Sequence, residues 1–246
     1  MSKQDDRVEN DSPKSTGRGL SRRRVLRGAG FAVAGGVAAT AASSTAAGAA
    51  NTAQYSVGRV AVGRQGRTTA EFRGRISQTG SSGETFTAYG YLTAADGAVA
   101  TDLFADTVKN ETTALLTLYA TGALTNRVLD TAVHSLDIVG SLHVYQRSGA
   151  GASFADPSTF TVGTKVASYD MTLQDVLAVF APGKGLPTLT GDMAQSFSGV
   201  LGGGLSRRKF GIAGLNLRMF ATGIGTLVDP VTLNAQLEIA GNWATE

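Results

Sequence analysis

The 246-residue sequence contains no cysteine and only two histidines, His134 and His143. Without thiols there are no disulfide staples, and thiolate zinc sites, iron–sulfur clusters, covalently attached haem and a lipid-modified cysteine are excluded. With two histidines, a general base at neutral pH has to be one of them or a carboxylate with a displaced pKa. Metal binding would need Asp130, Asp137, Asp170 or Asp175 to converge with a histidine, and their spacing is unlike a calcium loop or a zinc site. Gly80-Ser81-Ser82-Gly83 lacks the spacing of a nucleophile elbow, and no glycine-rich stretch ends in the Lys-Ser/Thr of a phosphate loop. No metal and no cofactor is expected.

An excess of one charge is also missing once the first fifty residues are set aside. Residues 1–50 hold 8 of the 22 Lys+Arg and 4 of the 19 Asp+Glu, leaving 14 against 15 and a net charge of about −1. The sequence pI of about 9.3 is therefore largely a property of this leader. No sustained basic face with interleaved aromatics follows it, and Arg207 to Lys209 is too short to serve, so nucleic acid is not an expected partner.

What the leader does contain is an address. Ser21-Arg22-Arg23-Arg24-Val25-Leu26-Arg27 follows the twin-arginine order and leads into an apolar run rich in Ala and Gly. A polar segment with Asp5, Asp6, Glu9 and Asp11 precedes it, and Ala47-Gly48-Ala49 supplies the small residues that signal peptidase requires. Ser21, Arg22, Arg23 and Leu26 thus mark residues 1–50 as a disordered or helical signal peptide. The partners implied are the twin-arginine translocase and signal peptidase, and the destination is the cell envelope or the exterior of a bacterium. The alternative is an uncleaved anchor, since Gly28 to Ala50 is long enough to span a bilayer. Cargo on this route travels folded, and about 195 residues remain, enough for one domain with a sizeable core.

Residues 51–70 read as a glycine-punctuated lead-in and 71–246 as the domain. Alternation with a period of two dominates there. In "HSLDIVGSLHVYQ", Leu136, Ile138, Gly140, Leu142 and Val144 share one face, and Ser135, Asp137, Val139, Ser141, His143 and Tyr145 the other. Further strands are expected in "AEFRGRISQ", "ETFTAYGYLT", "TALLTLYATGAL", "TKVASYDMTLQ", "LNLRMFATGIGTL" and "VTLNAQLEIAGNW". "TLQDVLAVFA" reads as helix or strand and ends at Pro182, while "LGGGLSRRK" reads as a flexible hairpin tip. Glycines inside the strands, among them Gly74, Gly90, Gly122 and Gly140, suit sharply coiled strands that close on themselves. The expected fold is all-β, an antiparallel closed barrel of about eight strands.

The run "FTAYGYLTAADG", "ALLTLYATGAL", "SLDIVGSLHVYQ" and the glycine-rich C-terminal strands resemble the allene oxide cyclase and dirigent class of barrels, over roughly Glu71 to Trp243. The resemblance implies a cavity for a hydrophobic ligand and self-association into a homo-oligomer. Three functions stay open: a non-catalytic barrel that binds a hydrophobic or amphipathic small molecule, a cofactor-independent cyclase or isomerase, and a structural or interaction protein of the envelope with a filled barrel.

Candidate ligand contacts come from residues that combine apolar area with a polar handle. Tyr89, Tyr91, Tyr119, Tyr145 and Tyr169 suit a pocket that orients an apolar guest. Asp137 and His143 share a strand face with Tyr145, either as a polar outer wall or as the lining of a wet cavity. Arg218, between Leu217 and Met219, either meets a ligand carboxylate or faces outward to keep the barrel soluble. Which face of each strand points inward decides among these readings.

Overall fold

The computed structural model describes residues 59–60, 68–205 and 208–246. The signal segment 1–50, with Ser21, Arg22, Arg23 and Leu26, and most of the lead-in lie outside the described residues.

Among the described residues ten strands follow one another: β1 (Arg59–Val60), β2 (Thr68–Thr79), β3 (Thr85–Ala95), β4 (Leu116–Leu129), β5 (Val133–Gln146), β6 (Thr164–Ala181), β7 (Lys184–Ser198), β8 (Lys209–Phe210), β9 (Asn216–Asp229) and β10 (Asn234–Thr245). A single helical turn, α1, covers Ala100–Leu103. Eight strands close an antiparallel barrel in the order β10-β2-β3-β4-β5-β6-β7-β9, while β1 and β8 form a separate parallel pair. The expected eight-stranded barrel is thus present, with one strand placed differently. "TLQDVLAVFA" continues β6, and the eighth strand is β7, which carries Pro187 and Gly191. The ladder from β7 to β9 passes from Gly185 to Thr188 without pairing Leu186 or Pro187, and proline has no N–H to give it.

Alternation sorts each strand's side chains between the interior and the wall. On β5 the interior takes Leu136, Ile138, Leu142 and Val144, all buried, and Ser135, Asp137, His143 and Tyr145 face outward. The same parity sends Phe72 and Ile76 of β2, Leu118 and Ala120 of β4, Tyr169, Met171 and Leu173 of β6, Leu189 and Met193 of β7, and Leu217 and Met219 of β9 into one core. Burying this set away from water is the main force closing the barrel. Charged side chains such as Glu71, Arg73, Asp170, Asp192 and Glu238 stand exposed on the wall. The apolar interior contrasts with the polar lumen of a membrane-spanning barrel.

Two cross-strand glycine pairs let the strands coil tightly. Gly74 faces Gly90 between β2 and β3, and Gly122 faces Gly140 between β4 and β5. A Cβ built on Gly90 would run into the Arg73 carbonyl and lie 2.7 Å from the Gly74 Cα, and one on Gly140 would meet the Thr121 carbonyl and the Gly122 Cα in the same way. No side chain larger than hydrogen fits at those crossings without moving backbone.

The two ends of the barrel differ. At one end the strands are joined by tight turns over residues 80–84, 130–132, 182–183 and 230–233. At the other end lie the long connections 96–115, 147–163 and 199–215. These add Leu103, Phe104, Leu201, Leu205 and Phe210 to the core, where Trp243 is fully buried, stacked on Phe72 at 5.6 Å and 6.1 Å from the Tyr169 ring. "LGGGLSRRK" does close a hairpin, with Val200 opposite Lys209 and the Leu201 N–H donating to the Arg208 carbonyl at 2.8 Å, but Leu201 and Leu205, each 1% exposed, anchor its tip in the core. The long-connection end is packed shut, and the tight-turn end is where the interior opens.

Candidate functional site

At the tight-turn end seven of the eight barrel strands, all but β3, line a cavity of about 160 Å³. Its walls are mostly apolar, with Leu136, Leu177 and Leu237 prominent, and Gly185 and Gly225 leave room that side chains would otherwise fill. Leu233, in the turn before β10, also lines it and holds a left-handed φ of 57°, a conformation that branched side chains rarely adopt. A smaller void of about 50 Å³, wholly apolar, lies further along the barrel beside Gly74 and Gly90.

Polar side chains interrupt the apolar lining: Gln78 of β2, Arg127 of β4, His134 of β5, Asp175 of β6 and Thr226 of β9. Lys184 of β7 joins them at the rim. The pairing register explains the convergence. Arg127 pairs with Leu136, and Leu136 with Asp175, so Arg127 and Asp175 occupy one row of the inner wall two strands apart, roughly 10 Å between backbones. A β-bulge between Leu124 and Asn126 shifts the parity of β4 and turns Arg127 inward.

Asp175 is the unusual group. On the inward face of β6 it follows Met171 and Leu173 and precedes Leu177, and it is only 3% exposed. The Thr188 backbone N–H donates to one carboxylate oxygen at 3.1 Å. The second oxygen has no partner among the described residues and is not sealed from the cavity. Burial pushes the carboxyl up to about 6, opposed by that hydrogen bond. The cations nearby are engaged elsewhere: Arg127 donates to the Gly83 carbonyl at 3.0 Å and Lys184 to Thr226 Oγ1 at 2.9 Å. Gln78 likewise donates to the Gly83 carbonyl, at 2.9 Å. A buried carboxylate in an apolar cavity, without an internal counter-charge, is poised to bind a donor or to move a proton. Among the described residues no three His, Asp or Glu side chains converge as metal ligands would.

The seven ligand contacts expected from the sequence all lie on the outer wall. Tyr89 and Tyr91 leave β3 outward and are covered by the 147–163 connection, whose Phe154 and Phe160 lie 6.0 and 5.5 Å from the Tyr89 ring. Tyr119 packs against the same cluster. This is a satellite core that pins a connection to the wall. Asp137 accepts from Asn126 Nδ2 at 2.9 Å. His143 Nδ1 is 3.0 Å from Ser168 Oγ, its ring stands edge-on to Tyr145 at 6.3 Å, and desolvation lowers its pKa. Arg218 pairs with Asp192 at 3.1 Å and reaches Glu246 at 3.9 Å. Of the tyrosines, Tyr169 points into the barrel, where burial raises its pKa, and of the two histidines it is His134 that lines the cavity.

The sequence analysis weighs Asp175 only as a metal-ligand carboxylate, and its segment reads there as helix or strand. Taken as strand, Met171, Leu173, Asp175, Leu177 and Val179 form an inward row with one carboxylate in it, and that interruption is the signal. Comparisons of the chain with protein-family models, with curated proteins and with solved structures return no match.

Proposed function

We propose that this chain is a small-molecule-binding barrel, and that its guest enters at the tight-turn end. The observation that carries the reading is the buried Asp175 carboxylate, one oxygen held by Thr188 and the other turned to an apolar cavity. A filled structural barrel gains nothing from a carboxylate there, because an apolar residue would pack without the desolvation penalty. Groups held in such positions cluster where ligands or substrates bind. A dry cavity near 150 Å³ accommodates benzene, so the 160 Å³ space sets the guest at about that size.

The remaining parts of the proposal come from the sequence. The twin-arginine segment supports export in the folded state, with cleavage by signal peptidase and a destination in the envelope or outside the cell. The barrel supports the likeness to the allene oxide cyclase and dirigent class. Self-association is proposed from apolar side chains exposed near the mouth, among them Phe180, Ile224 and Val228, at 59%, 57% and 61%.

A second reading, a cofactor-independent isomerase or cyclase, is favoured by one property of the same residue. A carboxyl with a pKa of about 6 is matched to proton transfer near neutrality, and His134 shares its cavity.

Native mass spectrometry of the protein from an exporting host, set beside the denatured mass, tests the proposal. A guest lost on denaturation supports it, and the same spectrum reads the oligomeric state. A bare mass that stays bare after incubation with a panel of benzene-sized compounds refutes it in favour of the filled barrel.

A further inference from the structure

The cavity also indicates what its guest carries, an inference that rests on the reading just given. Asp175 is the most deeply buried charged side chain of the mouth, at 3% exposure. Every charged or titratable group lining the same cavity can be named: His134 from β5, Arg127 from β4 and Lys184 from β7. Among the described residues none forms an ion pair with Asp175, and Arg127 and Lys184 are bonded to Gly83 and Thr226. The walls around the free oxygen are Leu136, Leu177 and Leu237.

An anion in such surroundings lacks one thing, a cation small enough to follow it into an apolar space. An anionic guest would add a second negative charge, and a neutral one would leave the carboxylate uncompensated. Two cations line the same space, and each repels the ammonium only weakly: Lys184 is solvent-exposed and screened by salt and water, and half-buried Arg127 is held to the Gly83 carbonyl at 3.0 Å, two strands from Asp175. We propose that the mouth cavity takes a compact apolar primary amine, its ammonium on the free Asp175 oxygen and its apolar body against Leu136, Leu177 and Leu237. An alkyl ammonium keeps its proton far above neutrality, as lysine does at about 10.4. The guest's charge is therefore constant over this range, and binding strengthens as Asp175 loses its proton through about 6.

Calorimetric titration of the full chain with benzylamine, benzyl alcohol and benzoate, at pH 5 and pH 7.5, tests this. Benzylamine is expected to bind about ten-fold tighter at the higher pH, and the uncharged alcohol equally at both. Asp175→Asn is expected to lose the benzylamine advantage and keep alcohol binding, and its melting temperature shows whether it is folded. Alcohol or benzoate binding as tightly as benzylamine overturns the amine assignment and leaves the cavity reading standing. Failure of all three overturns both.

Discussion

Asp175 of β6 lies opposite Leu189 of β7, and Thr188, one residue earlier on β7, donates its backbone N–H to the Asp175 carboxylate at 3.1 Å. This one bond orients a carboxylate beside the apolar walls of Leu136, Leu177 and Leu237. It holds one oxygen to the wall and leaves the other to the cavity.

The first prediction concerns stability against pH. Burial holds the folded pKa of Asp175 at about 6 against an ordinary aspartate value of 3.8, so between those values the native state binds more protons than the unfolded chain. Stability from this group is present below about pH 4 and is lost as pH rises through 6, on the order of 3 kcal/mol in all. Asp175→Asn keeps a carbonyl for the Thr188 N–H and removes the charge. Urea titrations should show the variant more stable than wild type at pH 7.5, by up to about 3 kcal/mol, with the difference shrinking towards pH 4.

A second prediction separates the cavity from the wall. Arg218→Ala breaks an ion pair whose partners are 60% and 66% exposed, and such pairs contribute between zero and about 1 kcal/mol. It should leave guest binding unchanged in calorimetry. Ala235→Leu, which adds carbon to the cavity lining, should weaken binding of a benzene-sized guest by about ten-fold or more without lowering the melting temperature.

A third concerns closure of the barrel. Gly90→Ala places a methyl against the Arg73 carbonyl and the Gly74 Cα, backbone atoms that cannot rotate away. A loss of several kcal/mol, about 3 or more, is expected in chemical denaturation. Gly225→Ala is the control, since its Cβ would meet neighbours no nearer than 3.6 Å, and it should change stability by less than about 1 kcal/mol.

A fourth uses the single tryptophan. Trp243 is fully buried and pairs with Ala70 and Met219, at the end of the barrel opposite the tight turns. Its fluorescence should report unfolding with a large red shift and should stay unchanged when a guest binds at the mouth. A shift on binding would place the guest at the wrong end.

Much of the fold was legible because a closed barrel with an apolar interior writes its two faces directly into the sequence. Alternation in "HSLDIVGSLHVYQ" separates the interior row from the wall, and interior glycines such as Gly90 and Gly140 mark where strands cross closely. β7 was not legible, since Pro187 and Gly191 interrupt it and its partners lie in β6 and β9, visible only once the barrel closes. The site was harder still. Tyrosines with apolar rings and polar tips suit a pocket and equally suit a connection packed on a wall, and Tyr89 and Tyr91 do the latter. Alternation tells which residues share a face, but Asp175 gains its meaning from burial, and burial is set by seven other strands. The bulge that turns Arg127 inward has no single-residue signature.

The most direct measurement is an NMR titration of the Asp175 side-chain carboxyl carbon, with and without benzylamine. The account predicts a midpoint near 6 in the empty protein, displaced downward when the ammonium binds. A midpoint near the ordinary carboxylate value, unmoved by the amine, would contradict it.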